Sequence, residues 1–160
     1  MRFNTIKLKK YTDIIEEYVA AATIKPGQLL KLTSDGKVKP HNDASGTAAV
    51  LIALEDELRG RSILDSYSAG DPVQVWVATP GEMAYCILKS NQSAPIGTYL
   101  ESAGDGELQI AEEVSSGATG TGPDHHIIGQ VVATANTEEL STGEWGTELP
   151  YAKFVIVRIV

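Results

Sequence analysis

The sequence predicts an all-β domain with little helix, a barrel or a sandwich, and three features carry that expectation. Turn signals recur at short intervals, at Pro26-Gly27, Asp35-Gly36, Ala69-Gly70-Asp71, Pro80-Gly81, Gly104-Asp105-Gly106 and Thr142-Gly143. Glycine supplies the positive φ that tight turns need, and Asp and Pro set the other turn positions. Between the turns lie short segments rich in β-branched residues, the spacing of a barrel or sandwich. The clearest of them, Val73 to Ala78, alternates Val73, Val75 and Val77 with Gln74, Trp76 and Ala78. That is the two-residue period of a strand.

Taken in chain order, residues 1–20 read as an N-terminal arm and residues 21–160 as a single β domain. Thr12 is placed to cap a short helical turn through Asp13-Ile14-Ile15-Glu16-Glu17, with acids near the helix N-terminus. Residues 29–40 predict a hairpin, with Asp35-Gly36 as a type I′ turn. Residues 48–55 form an apolar strand, and Glu55 to Arg59 are a weaker helical segment. Pro80-Gly81 is expected to fold Val73–Ala78 against Glu82–Leu88 as a second hairpin. Ile127 to Ala133 is a further strand. Phe154 to Val160, apolar except for Arg158, reads as a closing strand covered on both faces. Residues 115–124 and 134–150 read as long loops.

Composition narrows the function classes. Residues 1–40 hold eight Lys/Arg against four Asp/Glu, whereas residues 41–160 hold five against seventeen, for a net charge of −8 overall. So acidic a body repels nucleic acid, whose binding needs clustered cations on phosphates. The basic start is suited to an acidic partner surface, or is a solvated tail. No apolar run approaches the ~20 residues that span a bilayer. MRFNTIKLKK has no apolar segment behind it, so no signal peptide is expected. The single cysteine, Cys86, lies in a strand beside Tyr85 and Ile87 and reads as a buried, inert thiol.

Catalytic and cofactor motifs are not found. Gly117, Gly120 and Gly122 are followed by Pro123, Asp124 and a strand, whereas a phosphate cradle needs a helix N-terminus there. His125 and His126, with Asp124 beside them and His41 and Asp43 elsewhere, hint at a metal. Adjacent strand residues point to opposite faces, however, so one ion does not readily take both histidines. Glu55-Asp56-Glu57, Glu112-Glu113 and Glu138-Glu139 read as solvated acids. The G-x-S-x-G, H-E-x-x-H and C-x-x-C patterns are missing. The expectation is therefore no cofactor and no enzyme.

The order of these motifs resembles the small capsid decoration, or cement, proteins of tailed bacteriophages. The resemblance rests on IKPGQLLKLTSDGKVKP at 24–40, AAVLIALE at 48–55, YSAGDPVQVWVATPGEMAYCIL at 67–88, IGQVVATA at 128–135 and the closing FVIVRIV. It implies a single β-barrel or β-tulip-like body, made in the host cytoplasm and assembled as a homotrimer. Its partner would be the major capsid protein, on the outside of an expanded head at threefold or quasi-threefold sites. No direct nucleic-acid or membrane partner is implied. In relatives the N-terminal arm often reaches the shell surface, but the family offers no individual contact to carry over. The arm's own basic and apolar residues, Arg2, Phe3, Ile6, Lys7, Leu8, Lys9 and Lys10, are the candidates here, with 5–8 suited to pair as an added strand. Two rivals belong to other classes. One is a trimeric dUTPase-like β enzyme. The other is a lipoyl- or biotinyl-type carrier domain, suggested by Lys37 at a hairpin tip, although Gly36-Lys37-Val38 departs from both carrier motifs.

Overall fold

Short β-branched and aromatic runs cannot satisfy their own backbone groups, so they pair laterally, and every strand pair here is antiparallel. A computed structural model describes residues 3–111, 125–133, 135–136 and 153–160. One sheet has six strands, in the order β1 (Lys7–Lys9), β7 (Met83–Ile87), β13 (Phe154–Ile159), β11 (Ile127–Val131), β9 (Tyr99–Ser102) and β10 (Leu108–Ile110). The other has five, in the order β2 (Ile15–Val19), β6 (Pro72–Val77), β5 (Leu51–Ala53), β3 (Leu29–Leu32) and β4 (Val38–Pro40). A small separate pair joins β8 (Ser93–Ala94) to β12 (Ala135–Asn136). The 3-10 turn Glu57–Arg59 lies within the weaker helical segment expected at 55–59.

Neither sheet closes into a barrel among the described residues: β1 and β10 are the ends of one, β2 and β4 the ends of the other. Isolated bridges tie Leu88, just past β7, to Leu108 and Ala20, just past β2, to Val38. Each sheet therefore curls, but no ladder completes it. The described residues thus show an all-β fold of two antiparallel sheets, in place of the one closed barrel that the resemblance implies. The physical reason lies in neighbouring residues of single strands. Leu29, Ile52 and Trp76 join a large core with Tyr85, Ile87 and Phe154 of the six-stranded sheet. Leu30, Ala53 and Val75, each one position away, join Ala20, Ile24, Val38, Tyr67 and Val73 in a second core. A small barrel has one interior, whereas strands apolar on both faces fill two.

The hairpin at 29–40 forms, with Leu30, Lys31 and Leu32 opposite Pro40, Lys39 and Val38. Its turn is not type I′, because Gly36 has φ +77° while Asp35 stays at negative φ. Gly36 N–H donates to Thr33 O at 3.0 Å and Thr33 N–H to Lys37 O at 2.8 Å, the pattern of a type I turn followed by a left-handed residue. The second expected hairpin does not form. β6 and β7 lie in different sheets, and the Pro80-Gly81 turn carries the chain between them, with Gly81 N–H donating to Ile159 O at 2.9 Å. Gly27, at φ +88°, is needed for space as well, since a Cβ there would stand 2.8 Å from the Phe154 ring.

The first twenty residues supply two strands. β1 pairs with β7, and β2 pairs with β6 from Ile15↔Trp76 to Val19↔Pro72. This overturns the helical turn expected at 12–17: β6 offers a full ladder, and that tertiary pairing outweighs a weak local preference. β13 is central, between β7 and β11, as its apolar sequence requires.

Candidate functional site

The expected attachment residues divide by chemistry. Ile6 is fully buried. Its N–H donates to Glu55 Oε2 at 3.1 Å, and its carbonyl accepts Tyr85 N–H at 2.9 Å. Phe3 packs edge-on against Tyr85, with centroids 5.4 Å apart, and Leu8 packs against the same large core. The three apolar side chains are thus committed to the chain's own interior. The lysines lie outside it. Lys7 Nζ is 2.9 Å from Asp13 Oδ1, Lys10 pairs with the same carboxylate, and Lys9 Nζ is 5.4 Å from the Tyr11 ring centroid. Lys10 first, then Lys7, holds the Asp13 carboxyl below its ordinary range. Arg2 lies outside the described residues.

Several apolar side chains of the N-terminal segment and the 3-10 turn are exposed. Tyr11 is 69% exposed and Leu58 89%, with Ile14, Ile15 and Val19 also on the surface. A shallow pocket of about 210 Å³ opens between Lys7, Ile15, Leu54, Glu55, Glu57, Leu58 and Gln74. One cation, two acids, an amide and three aliphatic side chains line it.

A second polar group ties the sheets together, and sequence reasoning missed it. Glu101, fully buried in β9, accepts from Ser45 Oγ at 2.7 Å, Gln109 Nε2 at 2.9 Å and His125 Nδ1 at 2.6 Å. Burial pushes its pKa up, but these three bonds outweigh burial and hold it below the ordinary value. Ser45 donates to this carboxylate rather than to a histidine. His41, also buried, meets Ser102 Oγ at 2.7 Å through Nδ1. No local motif signals it, since Ser45 and Glu101 stand 56 positions apart.

Among the described residues no three His, Cys, Asp or Glu side chains converge as a metal set. Burial pushes the Cys86 thiol up to about 12, as expected of an inert cysteine. Lys37 sits exposed at its hairpin tip, 3.2 Å from Asp35. Gly117, Gly120, Gly122, Asp124, Glu112-Glu113 and Glu138-Glu139 lie outside the described residues. No helix among the described residues is long and apolar enough to cross a membrane.

Two curled antiparallel sheets with an N-terminal strand on one edge define the class as an all-β, two-sheet protein. In fold it is similar to the crystal structure of the head fiber gp8.5 N base of bacteriophage phi29, with a TM-score of 0.55 and 12% identity. The match covers 93% of this chain and 95% of that one. No protein-family model and no curated protein matches the chain.

Proposed function

We propose that this chain is a structural protein of a tailed-phage virion, bound to the outside of the head. The observation that carries the reading is the fold likeness, which spans nearly the whole of both chains and has a head-fiber base as its counterpart. It agrees with the independent resemblance of the motif order to capsid decoration proteins. In this reading the partner is the major capsid protein, and the chain acts as a homotrimer at threefold or quasi-threefold sites of an expanded shell. Clamping of neighbouring capsid subunits stabilises the head, and several weak contacts per trimer add up by multivalency. Lys7, Lys9 and Lys10, with Arg2, supply charge for attachment, and Tyr11, Ile14 and Leu58 supply apolar contact. Nothing in the site favours the dUTPase-like or carrier readings.

The test is cryo-electron microscopy of emptied, expanded heads incubated with the purified chain. External density at threefold or quasi-threefold positions is the expected result. Bare heads at saturating protein would overturn the reading. Light scattering at high concentration checks the trimer separately, with about three chain masses expected.

A further inference from the structure

His41 stands where the two sheets are joined. It follows β4, and its N–H donates to Leu29 O in β3 at 2.9 Å. Its carbonyl accepts Gly106 N–H, from the β9–β10 turn of the other sheet, at 2.9 Å. Around it Leu29 N–H donates to Gly106 O at 2.8 Å, Ser45 N–H to Ser102 O at 2.9 Å and His126 N–H to Ser45 O at 3.2 Å. Gln28 Nε2 adds a bond to Asp105 O at 3.1 Å. This seam is laced by backbone and side-chain hydrogen bonds.

Donor and acceptor accounting assigns the ring state. Nε2 lies 3.3 Å from Thr47 O, which only accepts, so Nε2 carries the hydrogen. Ser102 Oγ already accepts Gly104 N–H at 3.2 Å, and its own hydrogen is free to point at His41 Nδ1. The network is complete with a neutral ring. A second proton on Nδ1 forces the Ser102 hydroxyl to turn its hydrogen away and accept instead, and it places a cation where only 1% of the residue is exposed.

We propose that His41 is an acid-sensitive pin: its protonation loosens the joint made by residues 41–47 and 102–106 while both cores stay packed. The charged groups around it do not rescue the cation. Asp43 favours it, while Lys31 and His126 oppose it. Glu101, on the other face of β9, is engaged by Ser45, Gln109 and His125. Burial, the largest cause, lowers the His41 pKa beyond what the Thr47 carbonyl and Asp43 restore. A histidine so depressed contributes stability that is full above its unfolded value of about 6.5. That stability is lost as pH falls from there through the lower folded value. Because the ring's partners all lie in the seam, the loss is local first. The inference stands on this geometry and is independent of the head-surface reading.

The experiment is hydrogen exchange on the whole chain between about pH 7.5 and pH 5, corrected for intrinsic rates, with β6 and β13 as internal references. Protection over 41–47 and 102–106 is expected to fall at least about tenfold while the references hold within about twofold. In His41→Gln the pH-dependent fall should vanish. A seam that tracks the references, or a fall that persists in the variant, overturns the proposal. If the variant does not fold, imidazole titration of the wild-type chain decides. A loss of protection centred on the His41 midpoint supports the pin, and one displaced from it by more than about one pH unit refutes it.

Discussion

Two of the polar ties between the sheets use opposite acid–base chemistry. At the N-terminal crossing, Glu82 Oε1 accepts Tyr11 N–H at 2.8 Å and Thr12 N–H at 2.9 Å, and Oε2 accepts Thr79 N–H at 2.7 Å. At the seam a neutral imidazole holds Ser102 and Thr47. Burial raises the Glu82 pKa, but the bonds from Thr79, Thr12 and Tyr11 outweigh it and leave the carboxyl below its ordinary value. A carboxylate so lowered contributes stability that is full above about pH 4.5 and is lost only as pH falls through its folded value. The histidine tie begins to weaken near pH 6.5. One crossing is therefore built to hold in mild acid, and the other to give way first.

The comparison can be broken at several points. Ile6→Ala should cost the most, about 2–5 kcal/mol in urea unfolding, because it empties a fully buried site that anchors β1. A cost below about 1 kcal/mol would mean that the N-terminal crossing is not held by the core. Glu82→Gln should cost about 1–3 kcal/mol, since its amide nitrogen would face a donor where Oε2 now accepts. The variant should also lose part of the acid limb below about pH 4.5. Tyr67→Phe removes the buried bond from Tyr67 Oη to Leu54 O, 2.7 Å long, and should cost about 1 kcal/mol with no change in pH dependence. The double substitution Lys9→Gln with Lys10→Gln should cost least, within about 1 kcal/mol, because both side chains are exposed.

Much of the fold was legible in the sequence, and the exceptions share a cause. β6 follows from period-two patterning, the β3–β4 hairpin from its turn residues, and β11 and β13 from short apolar runs, all of which act locally. Pro80-Gly81 correctly marks a reversal, but a turn does not say whether the next strand stays in the same sheet. That depended on Glu82 and Ile159, which lie far from β6 in sequence or direction. Residues 12–17 lack strict alternation, and only the unpaired edge of β6 decides that β2 is a strand. The seam was illegible for the same reason. His41 and Ser102 are 61 positions apart, and no spacing rule connects a histidine in one loop to a serine in a strand. Of the attachment residues, the sequence could not separate Phe3, Ile6 and Leu8, which the core takes, from the lysines that stay outside.

That division also changes how attachment must be tested. Deleting residues 1–10 removes Ile6 and Leu8 from the large core, so lost binding and lost folding would arrive together. The direct measurement is binding of the Lys9→Gln, Lys10→Gln protein to emptied, expanded heads at several salt concentrations, beside its melting curve. The account predicts melting within about 4 °C of the parent and binding at least about tenfold weaker at low salt, with a shallower salt dependence. Parent-like binding at every salt concentration, from a protein that melts normally, would contradict it.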